Sequence, residues 1–258
     1  MTDPGSDILD PYALPALDCH AHIAPDVTRP QLKTLGRSHV FAMTRSVYEA
    51  SSVVTRTDPG LTWGLGVHPG LAAARSAYDP DEFRHLLTSF ALVGEVGLDK
   101  RASQDDQSRI LEDVMRACDD EPVFVSIHST GMTSAIAELI HQHRHPGTIL
   151  HWWLGSPADT ERAITAGAYF SVNAAMDDQR LAALPRNRVL PETDFPARST
   201  RGRRPGDIEP LETRLAEIWK MTVHEVRQQW WTNLRQAAVR SGALDRVGDS
   251  LADLLLTV

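Results

Sequence analysis

Short segments rich in β-branched and other apolar residues recur along this chain, separated by segments with helical spacing. Eight can be counted: ALDCHAHI, HVFAMT, LTWGLGVH, FALVGEVG, PVFVSIH, GTILHWW, AYFSVN and RVLPETD. Alternating strands and helices imply a parallel sheet with right-handed crossovers, and eight repeats favour closure of that sheet. The sequence therefore predicts an α/β fold, the (β/α)8 TIM barrel, although strand and helix patterns overlap between residues 40 and 54.

Capping residues predict where several helices begin and end. Ser156 is followed by a proline, a pattern typical of a helix start, and Gly167 marks the end of that helix. Thr222 and Glu225 have the spacing of a capping box and begin the second of two helices that we expect to close the chain. No linker, internal repeat or low-complexity tract interrupts residues 1–258, so we expect a single domain.

Charge and cysteine content exclude several classes of protein. The formal net charge is −8 and the pI is about 5.7, so the chain lacks the basic surface that coating nucleic acid requires. Cys19 and Cys118 are too few and too far apart for a disulfide framework or a thiolate zinc site. The acidic, proline-containing start and the lack of a long apolar run predict a cytoplasmic protein without a membrane segment.

Polar residues inside the predicted strands are the most informative feature of the sequence. Asp18, His20 and His22 alternate along the first strand, so their side chains share one face, at a spacing that suits metal chelation. Four more lie near the carboxyl ends of later strands: Glu95, His128, His151 and Asp194. In a barrel these ends converge on one mouth, where the active sites of this fold lie.

A single strand histidine is more often a satisfied polar group than a metal ligand. Burying four imidazoles and two carboxylates together is costly, however, unless a divalent cation pairs with the carboxylates and takes the imidazole lone pairs. We therefore predict metal ligation by His20, His22, Glu95, His128, His151 and Asp194. Six nitrogen and oxygen ligands exceed one tetrahedral site and indicate two divalent ions, with Mg, Mn and Zn all open.

The ordered motifs DCHAH, GLGVHP, VGEVGLD, SIHS, LHWWLGS, FSVN and PETDFP, followed by Asn233, resemble those of the TatD metal-dependent deoxyribonucleases. The match runs from about residue 16 to residue 240. The phrases GLGVHPGLA, GEVGLDK, ILHWWLGSP and YFSVNAAM are similar to the branch encoded with bacterial anti-phage (Qat) defence systems. The resemblance implies a DNA substrate, digested by an exonuclease from single-stranded ends, and protein partners in a defence system.

The resemblance also implies a role for each residue of the site. One ion is held by His20, His22, Glu95 and Asp194, and the other by Glu95, His128 and His151. Asp194 is implied to accept the proton of the attacking water, a task that suits an ionised carboxylate. His68, from the GVHP motif, is implied to contact the scissile phosphate; the plainer alternative is that it caps the Pro-Gly turn. The predicted catalytic residues are thus Asp194, Glu95 and His68.

This chain departs from the family pattern after the fifth strand. Many relatives carry an arginine two positions after the strand histidine, whereas Thr130 stands there in this chain, preceded by Ser129. Both hydroxyls are predicted substrate contacts, but neither replaces a permanently charged phosphate ligand. Trp153 is predicted to stack on a nucleobase, and Trp152 to pack in the barrel wall, because alternate strand residues face opposite sides.

Basic residues near the mouth offer compensation for the missing arginine. Four arginines crowd the loop after the last strand: Arg198, Arg201, Arg203 and Arg204. We predict that Arg198 and Arg201 contact the substrate, with Lys100 and Arg101 adding to a basic rim; a solvated flexible loop is the competing interpretation. The HQHRHP run precedes the sixth strand, so it is expected to be a solvated loop at the opposite end of the barrel.

Three functions remain open on the sequence alone. The leading hypothesis is a metal-dependent deoxyribonuclease. The second hypothesis is a metal-dependent hydrolase that acts on a lactone, a formyl group or a phosphotriester, because the fold and the metals do not define the substrate. The third is a catalytically weak binding subunit of a defence complex; the retained ligand residues oppose it, because buried charges are costly without a purpose.

Overall fold

The computed structural model describes residues 14–197 and 202–258, so the predicted contacts Arg198 and Arg201 lie outside the described residues. All eight predicted strands are present, in order: β1 (Ala16–Ala21), β2 (Ser38–Met43), β3 (Leu61–Gly64), β4 (Leu92–Gly97), β5 (Phe124–His128), β6 (Thr148–Leu150), β7 (Tyr169–Val172) and β8 (Val189–Pro191).

Helices alternate with the strands and close the chain. They are α1 (Arg29–Lys33), α2 (Val47–Val53), α3 (Ala72–Ser76), α4 (Pro80–Leu87), α5 (Gln104–Cys118), α6 (Thr133–His143), α7 (Pro157–Ala166), α8 (Asp178–Ala183), α9 (Glu209–Trp219), α10 (Val223–Ser241) and α11 (Asp249–Thr257). The stretch with overlapping patterns therefore separates into β2 and α2. None of the helices in the described part of the chain is long and apolar enough to cross a membrane.

The strands form two parallel sheets in chain order, β1–β2–β3 and β4–β5–β6–β7–β8. The sheets meet where Leu65 pairs with Val93 in a parallel bridge. At the other edge, the Asp194 N–H donates to the His20 carbonyl oxygen at 2.9 Å, which joins the ends of β8 and β1. The fold is α/β and TIM-barrel-like as predicted, although no strand ladder closes β8 onto β1 within residues 14–197.

Local sequence explains most element boundaries. The Ser156 hydroxyl accepts the Asp159 N–H and completes a capping box at the start of α7, and Gly167 ends that helix with a φ of 91°. The predicted capping box of Thr222 and Glu225 begins α10. The prediction of only two closing helices was wrong, because α11 follows α10.

The HQHRHP run was also predicted incorrectly. Its first histidines form the last turn of α6, and His145 is buried, with 2% of its surface exposed. The run does precede β6, at the end of the strands away from the mouth.

Helix α10 covers the seam between β8 and β1 and leaves the mouth open. The Trp231 indole N–H donates to the Pro15 carbonyl oxygen at 2.9 Å, just before β1 begins. The Asn233 side-chain amide donates to the Val189 carbonyl oxygen at 2.7 Å, at the start of β8. Both contacts lie at the amino ends of the strands, so Asn233, a residue of the family motif, ties the barrel together away from the mouth.

Candidate metal centre

The carboxyl ends of the strands surround a pocket of about 700 Å³. The described residues that line it are His22, His68, Glu95, Arg101, His128, Ser129, Thr130, Gly131, Thr133, His151, Trp152, Leu154, Asp194 and Ala197. Five of the six predicted ligand residues are among them, and the sixth, His20, is fully buried beside them. The mouth is therefore the place where the predicted ligands gather.

Ligand atoms of the six residues lie close enough to share ions. They form three groups in which all atoms lie within 4.8 Å of one another: His20, His22 and Glu95; His20, His151 and Asp194; and Glu95, His128 and His151. Glu95 belongs to two of them. Its Oε2 atom is 3.2 Å from His22 Nε2, and its Oε1 atom contacts His128 Nδ1. The two carboxylate oxygens of Glu95 thus face different histidines, and His20 and His151 likewise belong to two groups each.

Several of these atoms are buried without a hydrogen-bond partner in the described protein. They are His20 Nε2, His22 Nδ1, Glu95 Oε2 and both ring nitrogens of His128. Leaving a buried polar atom unpaired costs roughly 1–3 kcal/mol, and native proteins normally avoid it. Imidazole nitrogens and carboxylate oxygens gathered in this way are the donors that divalent transition metals prefer. The residues present therefore fit the predicted metals.

Hydrogen bonds behind the cluster decide which ring nitrogen faces it. His20 Nδ1 lies 3.0 Å from Ser126 Oγ, and His151 Nδ1 lies 2.8 Å from Glu192 Oε2. The Glu192 carboxylate can only accept, so His151 donates its Nδ1–H to it, and Ser126 occupies the Nδ1 side of His20. The Nε2 atoms of both rings face Glu95 and Asp194 in the cluster. Histidines that ligate metals usually have an outer partner of this kind.

His68 has the opposite arrangement. Its Nδ1 accepts the Gly70 N–H at 3.0 Å, so the proton of the neutral ring lies on Nε2. His68 Nε2 lies 3.3 Å from Glu95 Oε2, at the edge of the cluster, but the two atoms form no hydrogen bond. Burial lowers the pKa of His68, which favours this neutral form. His68 therefore caps the Pro-Gly turn and also presents a donor to the mouth; the two interpretations of the sequence are compatible.

The electrostatic environment keeps the shared carboxylate ionised and one imidazole neutral. Burial opposes ionisation of Glu95, but the imidazoles of His128, His20 and His22 outweigh it and hold its pKa well below the usual range. Burial lowers the pKa of His20 to about 3, so its ring carries no charge at neutral pH. Both residues are thus in the protonation state that a metal ligand needs.

Neighbouring carboxylates raise the pKa of both His151 and Asp194, which favours the charged form of His151 and the neutral form of Asp194. Burial by itself lowers the pKa of His151, but the Glu192 carboxylate, helped by Asp194, outweighs burial and raises it to about 10. The lone pair that attracts a proton so strongly attracts a cation for the same reason. Burial raises the pKa of Asp194 to about 6, with Glu192 and Glu95 adding to the effect and His151 opposing it. A carboxylate with this pKa is suited to accept a proton near neutral pH.

Glycines let β4 approach β5 closely enough to place Glu95 beside His128. Gly97 has a φ of 147°, and a Cβ atom there would lie 2.0 Å from the His128 carbonyl oxygen. A Cβ atom at Gly94 would lie 2.7 Å from Ser126 Cβ. The strand register shifts between Val93 and Val96, which is the local irregularity that turns Glu95 toward the mouth. The GEVG sequence therefore encodes a backbone geometry as well as a ligand.

Sequence reasoning missed two buried carboxylates that support the cluster. Glu192 accepts hydrogen bonds from His151, Ser171 and Asn173, and His151 in particular holds its pKa at about 2 against the effect of burial. Asp99 Oδ2 lies 3.4 Å from His128 Nε2. Glu192 stands in the motif PETDFP together with Asp194, and Asp99 stands in VGEVGLD together with Glu95. The quoted motifs therefore already contained both acids.

Asp18 shares the strand face of the first-strand histidines but not their environment. It accepts the Thr193 N–H at 2.9 Å, the Thr193 hydroxyl at 2.6 Å and the Gly206 N–H at 2.8 Å. These bonds use both carboxylate oxygens to tie β1 to the segments after β8. Asp18 is therefore a structural residue, and none of the ligand groups includes it.

The two tryptophans occupy the reverse of their predicted places. Trp153 is buried, and its indole N–H donates to Thr160 Oγ1 at 2.9 Å, whereas Trp152 is partly exposed and lines the pocket. Strand alternation failed because β6 ends at Leu150 and Trp152 adopts a φ of 41°. A residue in the left-handed backbone conformation interrupts the alternation of side chains along a strand, so Trp152 and not Trp153 contacts the pocket.

The other predicted substrate contacts divide between the pocket and its surroundings. Ser129 and Thr130 line the pocket, as does Arg101. Arg203 pairs with Asp207 at 2.9 Å. Arg204 donates to the Leu35 carbonyl oxygen, which lies before the start of β2. Neither Arg203 nor Arg204 lines the pocket, so these two do not contribute to the predicted basic rim.

Comparison with known proteins identifies the family. The family model described as TatD related DNase matches residues 17–238. The chain belongs to this family. It is 26% identical over 208 residues to a putative deoxyribonuclease, tatdn3-B, of Xenopus laevis, a match that covers 70% of this chain and 76% of the relative. The chain is therefore a hydrolase of the deoxyribonuclease-like type, in a family that implies divalent metals.

Solved structures show the same fold. YjjV, a TatD homologue from Escherichia coli K12, superposes with a TM-score of 0.72 at 19% identity, covering 85% of this chain and 97% of YjjV. A TatD family hydrolase from Entamoeba histolytica gives a TM-score of 0.68 at 15% identity, covering 86% and 97%. The phosphotriesterase of Mycobacterium tuberculosis is more distant, with a TM-score of 0.54 at 12% identity over 84% of this chain and 94% of the enzyme.

Proposed function

We propose that this chain is a metal-dependent nuclease that hydrolyses DNA phosphodiester bonds, acting as an exonuclease on single-stranded ends. The observation that carries the proposal is the buried cluster in which His20 Nε2 and Glu95 Oε2 have no hydrogen-bond partner in the described protein, beside an open pocket. The family match supplies the substrate class, because TatD relatives are described as DNases.

Two divalent ions are proposed, held by the six cluster residues with Glu95 shared between them. Bound there, the ions would supply Lewis acidity toward a phosphodiester and toward water. The remaining work falls to the side chains. Asp194 accepts a proton from the attacking water at a carboxylate oxygen, and His68 donates its Nε2–H to a phosphate oxygen.

The pocket wall supports a single-stranded substrate. Trp152 and Leu154 both line the pocket, and Leu154 is 46% exposed, so an unpaired base has apolar surface to stack on. Ser129 and Thr130 add two hydroxyl-bearing residues to the lining of the same pocket. A base inside a duplex has both faces covered by its stacked neighbours and cannot present one to such a wall.

The first test is digestion of a labelled single-stranded oligonucleotide with added Mg, Mn or Zn, with and without a chelator. Asp194→Asn and His128→Ala are expected to lower the rate by at least about 10³-fold and to lower the bound metal measured by elemental analysis. The control is His143→Ala, which removes a histidine far from the mouth. Full activity in either site variant would contradict the proposal.

A substrate panel separates this function from its competitors. Single-stranded DNA, duplex DNA, RNA, a phosphotriester and a lactone are incubated with the metal-loaded protein. Turnover of the small esters without cleavage of DNA would favour the second hypothesis. A protein that carries no metal and cleaves none of them would favour a binding subunit.

We further propose that the activity serves a cytoplasmic anti-phage defence system of the Qat type. The sequence phrases quoted above support this branch, and Cys19 and Cys118, both buried and unpaired, agree with a reducing compartment. In cells that carry the intact defence operon, Asp194→Asn is expected to abolish protection against phage. Protection equal to that of the native operon would contradict this role.

A further inference from the structure

One permanent positive charge lines the described part of the pocket. Arg101 follows β4, and among the lining residues of the described chain it is the sole lysine or arginine. The loop after β5 contributes the neutral residues Ser129, Thr130 and Gly131. A pocket that accepts a phosphodiester needs cationic donors beyond the metal cluster, so the place of this guanidinium is informative.

A buried carboxylate holds the Arg101 guanidinium in one orientation. Arg101 Nε donates to Asp99 Oδ1 at 2.9 Å, Nη2 donates to Oδ2, and the backbone N–H of Arg101 also donates to Oδ1 at 2.9 Å. Asp99 is only 1% exposed, whereas the Arg101 side chain is 70% exposed. The inner edge of the guanidinium is therefore fixed on Asp99, and Nη1, which has no partner among the described residues, can donate its two N–H groups to a ligand.

The loops after β4 and β5 are tied together beside the cluster. The Lys100 N–H donates to the Thr130 carbonyl oxygen at 3.0 Å, and Asp99 Oδ2 lies 3.4 Å from His128 Nε2. Asp99 thus stands between a proposed metal ligand and the guanidinium. Arg101 and Thr130 therefore lie on the same side of the pocket, next to His128.

We propose that Arg101, positioned by Asp99, is the phosphate-binding arginine of this pocket. It contacts a non-bridging oxygen of the substrate backbone from the loop after β4, next to the neutral Thr130. This inference rests on the proposed nuclease function. Because the contact is to phosphate, it strengthens binding of every base sequence equally and contributes to the salt dependence of binding.

Binding to a cleavage-resistant oligonucleotide tests the proposal. Fluorescence anisotropy follows a labelled dT8 with phosphorothioate linkages, and matching dA8 and dC8, in Mg²⁺ over a range of salt. Arg101→Ala is expected to weaken binding of all three about tenfold and to reduce the slope of log K against log salt by about 0.7. The control is Arg116→Ala, at the far end of α5, which also loses an arginine paired with a carboxylate, here Glu112 at 2.8 Å.

A second variant separates phosphate binding from a structural role of the Asp99 pair. Thr130→Arg in the Arg101→Ala background places a guanidinium in the pocket from the neighbouring loop without restoring the contact to Asp99. Recovery of the salt slope supports the proposal.

Three outcomes would overturn this role of Arg101. The first is that Arg101→Ala and Arg116→Ala bind DNA with equal affinities and equal salt slopes. If the native protein still cleaves DNA in that case, the proposed nuclease function is unaffected. No recovery in the double variant would show that Arg101 acts structurally. No binding and no cleavage by the native protein would overturn both proposals.

Discussion

His20 at the mouth and His145 at the opposite end of the barrel are both buried, but only His145 has a partner for each of its two ring nitrogens. His145 accepts the Gly147 N–H at Nδ1, 3.2 Å away, and its Nε2 lies 3.3 Å from the Glu121 carbonyl oxygen. His20 makes one such contact through Nδ1 and leaves Nε2 without a partner among the described residues. Burial therefore does not mark a ligand. An unpaired lone pair that faces other donors does.

The largest expected effect concerns the stability that depends on His39, a buried histidine outside the ligand groups of the described residues. His39 Nε2 lies 2.9 Å from Thr62 Oγ1, and burial lowers its pKa from 6.5 to about 4. The unfolded chain takes up a proton near pH 6.5 and the folded chain only near pH 4, so stability falls as the pH drops through that window. The loss should reach about 3 kcal/mol.

Denaturant unfolding at pH 7 and pH 4 measures this loss in the native protein and in His39→Gln. Gln does not titrate and keeps a polar atom near Thr62, so the variant should lose about 3 kcal/mol less between the two pH values. Other titrating groups are common to both proteins and cancel in the difference. Parallel pH profiles would show that His39 is not a source of acid sensitivity.

The next prediction concerns the outer partner of His151. Glu192→Gln retains the shape of the side chain but removes the charge that orients the ring and attracts a cation. Metal affinity should fall by roughly 10–100-fold, the range found for outer partners of ligating histidines. Competition with a coloured chelator measures it, and Glu138→Gln, on the exposed face of α6, is the matched control. Equal affinities in the two variants would mean that the Glu192 contact is irrelevant to the metals.

The smallest effect is expected at the far end of the barrel. His143, whose side chain is 10% exposed, lies 3.0 Å from Asp119 and 3.5 Å from Glu112, and both carboxylates are more exposed than the ring. His143→Ala should lower the free energy of unfolding by about 1 kcal/mol, because the contacts with the exposed carboxylates are weak, and should leave the metal content unchanged. A loss of bound metal in this variant would break the distinction between the two ends.

Much of the site could be predicted because strand ends converge by topology. Once the chain alternates strand and helix, His128 and Asp194 must reach the same edge, although they are separated by more than sixty positions. The eight strands and the capping boxes were predicted for similar local reasons. That the chain folds as one domain stays a prediction.

Failures of sequence reasoning occurred where regular structure ends. The tryptophans were exchanged because strand alternation was applied beyond the last residue of β6, into a left-handed position at Trp152. Asp18 was grouped with the histidines because spacing along a strand does not show which groups approach from other loops. Arg203 and Arg204 were assigned to the rim because sequence position near Asp194 does not define the direction of a loop.

By itself, the sequence determined the strand order, the helix starts and the set of imidazoles and carboxylates that meet at the mouth, because these follow from periodicity and from the rule that parallel strands end on one side. Only the tertiary structure decided which ring nitrogen faces the cluster, which tryptophan lines the pocket and which arginine enters it. Those choices depend on partners such as Glu192, Ser126 and Asp99, which contact the site side chains through space from elsewhere in the fold.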